Sequence, residues 1–213
     1  MNRAHYYSGW FEGTFPNEYA EMLKRDITCN KSLVILDGCW DSHEAVMSLF
    51  AASDIAFEEV HYIDSRKSKS EAHELIVNAS VILLSGGSDV PQMNFFNAYE
   101  VESAVKRSRA NVIMGLSAGS INMVTHAISF ENKTVTKYLG LGLDDFCYVP
   151  YLGMDDDGTM FSMSQQVDEV LLELSQKTSV YATCSQSFMR IKGGDVTPVG
   201  NVYLISNGNI VKK

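Results

Sequence analysis

Short apolar runs alternate with amphipathic stretches through the first two-thirds of the chain. Phe15, Tyr19, Met22 and Leu23 recur at helical spacing, which predicts a helix from Phe15 to Asp26. Pro16 stands near its start, where a missing N–H costs nothing. Ser32 to Asp37 reads as a buried strand running into a polar loop, Gly38 to Ser42, with Asp41 or Ser42 capping a helix from Glu44 to Ala52. Glu58 to Asp64 alternates apolar and polar positions, the pattern of an edge strand. A helix from Lys67 to Asn78, opening at Ser68 or Ser70, leads to a third strand, Ser80 to Ser85. The next helix carries Met93, Phe95, Phe96 and Tyr99, and Asn111 to Met114 forms a further strand.

Strand–helix units in succession, with buried-type strands, predict an α/β fold: a mostly parallel sheet with helices on both faces. The last third is less regular. Thr178 to Thr183, Ser187 to Lys192 and Val199 to Ser206 read as strands, with Gly193-Gly194-Asp195 and Asn207-Gly208-Asn209 as turns. Hairpins or a meander added to the sheet edge are expected there. No linker, repeat or low-complexity tract interrupts the pattern, so residues 1–213 read as one domain.

The strand at Asn111 ends in Gly115-Leu116-Ser117-Ala118-Gly119, with an amphipathic segment directly after it. This is a G-x-S-x-G pattern in the strand, turn and helix context that the motif requires. Small residues beside Ser117 let the chain turn sharply enough to expose its hydroxyl, and the helix start favours a developing oxyanion. A second glycine loop, Gly86-Gly87, follows the third strand at the same expected edge of the sheet. It reads either as a plain tight turn or as an oxyanion donor beside the N–H of Ala118. No Walker or dinucleotide glycine pattern follows any strand, which argues against nucleotide binding.

Composition narrows the field. At 213 residues with 46% hydrophobic and 20% charged residues, the chain matches a soluble globular domain. The formal charge of −9 opposes nucleic acid and anionic membrane surfaces as partners. Met1 to Ser8 lacks an apolar core of signal-peptide length, and no apolar run reaches the roughly 18 residues of a membrane span. Cys29, Cys39, Cys147 and Cys184 are scattered, fitting neither a disulfide framework nor a zinc site, so reduced thiols in a cytoplasmic protein are expected. Asp155-Asp156-Asp157 reads as a solvated turn, and neither a metal nor a cofactor is expected.

Ser85-Gly86-Gly87 with Gln92-Met93, then Gly115 to Ser120, resembles the dipeptidase E and cyanophycinase family of serine peptidases, whose fold is similar to that of class I glutamine amidotransferases. Lys31-Ser-Leu-Val-Ile, Gly140-Leu-Gly-Leu143 and Gly200-Asn-Val-Tyr-Leu204 extend the likeness in order along nearly the whole chain. The resemblance implies a Ser–His–acid triad hydrolysing small peptides, often with an acidic N-terminal residue. Ser117 matches the nucleophile, and the Ala118 N–H and the Gly86-Gly87 loop match the oxyanion donors. The family's histidine, in a Pro-His pair, falls at Pro150-Tyr151, which puts Tyr151 in its place. The family's acidic residue falls at Ser185.

A serine hydroxyl needs a base to take its proton. Continued on the elbow helix, His126 lies roughly 13 Å along the axis from Ser117, beyond hydrogen-bonding reach. His43 reads as a solvent-facing residue of a first helical turn, His61 belongs to the edge strand, His73 to a helix, and His5 to the N-terminal region. Three readings follow. The chain is an impaired or inactive homologue that binds a small peptide or acidic ligand, an active hydrolase with an unrecognised base, or a scaffold in which Ser117 is a relic.

Overall fold

The computed structural model describes residues 3–37, 42–130, 135–152 and 165–213. The chain opens with β1 (Ala4–Ser8), α1 (Asn17–Asp26), β2 (Ser32–Leu36), α2 (His43–Ala52), β3 (Glu59–Ile63) and α3 (Lys69–Asn78). It continues with β4 (Val81–Leu84), α4 (Asp89–Ala98), α5 (Val101–Arg107), β5 (Val112–Leu116) and α6 (Ala118–Met123). The remainder comprises β6 (His126–Ser129), β7 (Thr136–Leu139), β8 (Cys147–Val149), α7 (Gln165–Ser175), β9 (Val180–Thr183), β10 (Phe188–Lys192), β11 (Asp195–Val199), β12 (Val202–Ser206) and β13 (Asn209–Lys212).

Seven strands form the main sheet in the order β11-β10-β1-β5-β4-β2-β3. Its five strands from β1 to β3 in that order are parallel, and β10 and β11 add antiparallel at one edge. Every residue of β2, β4 and β5 is buried, as uninterrupted apolar strands covered on both faces should be. One face packs Val34, Leu36, Ile82, Leu84 and Ile113 into a core with Phe96 and Val105. The other packs Leu33, Ile35, Leu83 and Met114 against Tyr19, Leu23 and Phe50. The alternating β3 is the edge strand that its pattern predicts. Among the described residues, no helix is long and apolar enough to cross a membrane.

Two expectations, on the C-terminal strands and on the elbow helix, are corrected, and β1 is a strand that the pattern did not signal. First, the C-terminal strands do not all join the main sheet. Only β10 and β11 do so, whereas β9, β12 and β13 form a separate four-stranded sheet with β8, in the order β13-β12-β9-β8. A third small core explains this, in which Val149, Leu171, Val180, Ala182 and Ile205 bury one another. Second, the N-terminal Ala4-His-Tyr-Tyr-Ser8 is the central strand β1. Its tyrosines are fully buried because each hydroxyl finds a carboxylate, Tyr6 at Asp26 (2.7 Å) and Tyr7 at Asp144. Third, the elbow helix stops at Met123, and His126 opens β6 instead of continuing the helix.

The Gly140–Leu143 segment causes that stop. The N–H groups of Leu141, Gly142 and Leu143 donate to the carbonyls of Asn122 (2.8 Å), Val124 (3.2 Å) and Met123 (2.9 Å). Those carbonyls have no further helical turn to satisfy them. A Cβ on Gly140 would lie 2.3 Å from the Val124 oxygen, so only glycine admits this approach.

At helix starts, Ser68 caps α3 by accepting from the Glu71 N–H (3.2 Å). Ser42 precedes α2 without capping it. Its hydroxyl instead bonds the buried Asp37 (3.1 Å) and Ser85 (2.5 Å). Asp41, Cys39 and Asp155 to Asp157 lie outside the described residues.

Candidate active site

The elbow forms where β5 ends beside β1 and β4, at the C-terminal ends of the parallel strands. Ser117 has φ 52° and ψ −113°, a conformation costing a non-glycine residue about 1–3 kcal/mol. Both flanking glycines are required by close approach. A Cβ on Gly115 would lie 2.5 Å from the Ser120 nitrogen, and one on Gly119 would lie 2.0 Å from the Leu84 oxygen. Turn and helix are thereby pressed against strand β4, which no side chain at either position permits.

Ser8, the last residue of β1, pins the strained turn from the other side. Its carbonyl accepts from the Ser117 N–H (2.9 Å) and from the Ser120 hydroxyl (2.8 Å). Its own N–H donates to Ser120 Oγ (3.0 Å). Beneath the helix, Asn122 Nδ2 donates to the Asp89 carbonyl and to Gln92 Oε1, both at 2.9 Å, and Gln92 Nε2 donates to the Ser85 carbonyl (2.9 Å). The elbow helix and the glycine loop are therefore parts of one buried polar network. Of these supporting residues, Ser85, Gln92 and Ser120 stand in the motifs read from the sequence, whereas Ser8, Asp89 and Asn122 are signalled by none.

Gly86 follows β4 and comes directly against the elbow, where a Cβ on it would lie 3.6 Å from Ser117 Cβ and 3.3 Å from the Trp10 ring. Gly87 has φ +136°, outside the range open to most side chains. Gly87, Ser117 and Ala118 share the lining of a cavity of about 200 Å³ with Tyr151. The structure thus brings Ser117, Gly86, Gly87, Ala118 and Tyr151 together. Larger cavities, of about 690 and 720 Å³, lie around Cys29 and Arg109 and around Tyr138 and Leu139, and neither contains an elbow residue.

Tyr151 has φ 61°, a left-handed backbone that turns its ring toward Trp10 and Ser117. Its phenol oxygen accepts from the Trp10 N–H, and Tyr151 lines the same cavity as Ser117. Burial pushes this phenol above its ordinary value, and the Trp10 N–H bond and the nearby Ser117 side chain offset that only in part. At neutral pH Tyr151 is therefore uncharged.

The family model for Peptidase family S51 matches residues 41–199, more than half of the chain. The chain belongs to peptidase family S51. In structure it is similar to a peptidase from an acI-B1 Actinobacterium, with a TM-score of 0.74 and 17% identity over 100% of this chain and 94% of that one. It is also similar to the "Putative Peptidase E Protein" of Listeria monocytogenes EGD-e, with a TM-score of 0.66 and 13% identity over 93% of this chain and 98% of that one. At such identities the two likenesses are likenesses of fold. No curated protein matches the chain in sequence. Its fold is that of the dipeptidase E family, class I glutamine amidotransferase-like, as the serial order of motifs implies.

Within this S51 framework the other residues weighed as catalytic partners stand apart from Ser117. Ser185 lies in the exposed turn between β9 and β10, and among the described residues no hydrogen bond links it to Ser117 or Tyr151. That turn is tied to the residue after Tyr151, since the Leu152 N–H donates to the Thr183 carbonyl (3.0 Å) and the Cys184 thiol to the Leu152 carbonyl (3.1 Å).

His43 is not solvent-facing. Its ring packs 3.7 Å from that of Tyr62, and Nε2 lies 3.6 Å from the buried Asp37 carboxylate. Helix α2 begins at His43 itself, which turns the ring onto β3 rather than outward. His5 bonds Asp144 (2.6 Å), His61 bonds Glu59 (3.2 Å), His73 bonds the Tyr99 carbonyl (2.6 Å), and His126 faces Asp145 (3.5 Å). No histidine or carboxylate hydrogen-bonds Ser117 among the described residues. Nor do any three histidine, cysteine or acidic side chains among them gather as a metal site.

Of the thiols, Cys147 is buried, which pushes its pKa up to about 12, and Cys29 is exposed. Neither lies in the elbow.

Proposed function

We propose that this member of family S51 retains a small-peptide pocket beside Ser117 and hydrolyses peptide bonds at a strongly reduced rate. In this reading Ser117 is the nucleophile by position, and the Ala118 N–H with the Gly86-Gly87 loop supplies the oxyanion donors. Tyr151 stands where a histidine base is expected, and Ser185 stands where its acidic partner is expected.

One observation carries the reading: the titratable group that shares the cavity with Ser117 at the position of the expected base is the neutral phenol of Tyr151. A phenol whose pKa is raised by burial does not accept the serine proton at pH 7, so the nucleophile is not activated. Oxyanion donors and binding alone retain roughly 10³–10⁴-fold acceleration over water. That rate suits a binding protein or a slow hydrolase better than a dedicated peptidase.

The same placement supports a second reading, in which Tyr151 acts as the base once ionised. The two differ in pH dependence. If the phenolate is the base, hydrolysis climbs about tenfold per pH unit from neutral pH up to the raised phenol pKa, and Tyr151→Phe abolishes that climb. If the base is lost, Tyr151→Phe leaves the pH profile unchanged.

Labelling by a fluorophosphonate tests the main reading. Slow labelling at pH 7, lost in Ser117→Ala, together with melting-temperature shifts on adding small peptides, agrees with it. Rapid labelling at pH 7 with efficient dipeptide turnover overturns it. A chain that neither labels nor shifts with any peptide is a scaffold instead.

A further inference from the structure

Resting on the reading that the Gly86-Gly87 loop supplies oxyanion donors, we propose that Ser42 and Ser85 are positioning residues that hold this loop against Ser117. Their anchor is the buried side chain of Asp37. Where no base activates the serine, the oxyanion donors carry much of the acceleration that remains, so the placement of the loop sets the rate.

The ends of β2 and β4 and the start of α2 meet here. Ser85 is the last residue before the loop, and its N–H donates to the Leu36 carbonyl at the end of β2 (3.0 Å). Its hydroxyl meets that of Ser42 (2.5 Å), the residue preceding α2. The Ser42 hydroxyl and the Ser42 N–H both donate to Asp37 Oδ2, each at 3.1 Å. A hydroxyl has one proton, so with that of Ser42 given to Asp37, Ser85 donates to Ser42. From the α4 side, Gln92 Nε2 donates to the Ser85 carbonyl (2.9 Å).

The residue that begins the loop is thus fixed from two directions. Asp37, Ser42 and Ser85 are 2%, 8% and 0% exposed, so bulk water does not replace a lost partner. Gly86 comes next, and a Cβ on it would lie 3.6 Å from both the Leu116 carbonyl oxygen and Ser117 Cβ. A shift at Ser85 is therefore a shift of the loop relative to the elbow. A misplacement of about 1 Å in such a site costs about 10²-fold in rate. If these bonds only satisfied buried polar atoms, their loss would lower stability and leave the rate of the folded chain unchanged.

The test is fluorophosphonate labelling of Ser117 in the full chain, with the limiting rate separated from the reagent concentration at half-saturation. Ser42→Ala and Ser85→Ala, folded by circular dichroism, are each expected to lower the limiting rate about tenfold or more with half-saturation unchanged. The double variant is expected to label no slower than the slower single variant, because both act through one bond. Ser42→Thr keeps the hydroxyl and is expected to keep the natural rate.

Folded alanine variants that label at the natural limiting rate overturn the inference while leaving Ser117 a nucleophile. A rate that falls equally in Ser42→Thr assigns the effect to packing rather than to the hydroxyl and also overturns it. A natural chain that does not label at all overturns the reading beneath the inference, and the inference falls with it. Should an alanine variant not fold, Ser42→Cys serves, because it keeps a side chain there with only a weak donor.

Discussion

The ring of Tyr151 lies on the backbone of Gly9, in the space that any side chain at position 9 would fill. A Cβ there would be 2.6 Å from Tyr151 Cε1 and 2.8 Å from Cζ. The contact directs the phenol oxygen to the Trp10 N–H, on the side of the cavity that Ser117 also lines. Gly9→Ala is therefore expected to expel the ring at little cost in stability, since Tyr151 is already 42% exposed. Spectroscopic titration of the tyrosines, with Tyr151→Phe as the blank, checks this: the Tyr151 step moves down toward the ordinary phenol value of about 10. A Tyr151 titration unmoved by Gly9→Ala means that the ring is held elsewhere.

The two elbow glycines and Gly140 differ from glycines that merely turn the chain. Gly119→Ala drives a methyl group into the Leu84 carbonyl, a backbone atom with no room to retreat. A loss of about 3 kcal/mol or more is expected, with failure to fold as the extreme. Gly140→Ala meets the Asn122 and Val124 carbonyls and should cost a similar amount. Gly13, with open space around it, carries only the strain of φ +77°, so Gly13→Ala should cost about 1 kcal/mol. Urea unfolding of the three variants gives the order directly.

Tyr151→His puts an imidazole where the phenol now stands. Near its ordinary pKa of about 6.5 it is half or more neutral at pH 7 and accepts a proton. A base in this position is worth about 10²–10⁴-fold, so fluorophosphonate labelling of Ser117 should accelerate by at least about 10². Adding Ser185→Glu should raise the rate further, because the turn carrying it is tied to Leu152. A folded double variant that labels no faster than the natural chain shows that more than these two positions has been lost.

Stability should fall at both ends of the pH scale, for different residues. Burial alone raises the Asp26 carboxyl, but hydrogen bonds from Arg190 (2.6 Å), Lys192 (2.8 Å) and Tyr6 (2.7 Å) outweigh it and hold Asp26 well below the carboxylate range. A depressed carboxylate contributes stability above about pH 4 and loses it as pH falls. Asp26→Asn should cost roughly 2–3 kcal/mol at pH 7 and flatten the acid limb of the unfolding curve. At the other end, burial raises Tyr6, Tyr7 and Tyr148 well above the ordinary phenol value. Their contribution is complete below about pH 10 and is lost as pH climbs past it, because the unfolded chain ionises first. Chemical denaturation from pH 2 to pH 11 reads both limbs.

Local pattern by itself determined the parallel core and the elbow. Runs such as Val81 to Leu84 are apolar throughout because both sheet faces are covered, and Gly115, Ser117 and Gly119 are spaced by the geometry of one turn. These constraints act within a few residues, so they are written in consecutive letters. The serial order of short motifs likewise marked Tyr151 and Ser185 as the positions to watch.

Tertiary structure alone decided what Ser117 touches. Ser8, Gly9 and Trp10 meet Tyr151 and the elbow across more than a hundred residues, because β1 enters the sheet beside β5. Nothing in Ala-His-Tyr-Tyr-Ser announces a central strand, since its polar tips are satisfied only by Asp26 and Asp144. His126 left the elbow helix because a distant glycine segment captured that helix's last carbonyls. Periodicity reports which face of an element is buried, but not which distant group will satisfy its polar atoms, and here those distant groups set the surroundings of Ser117.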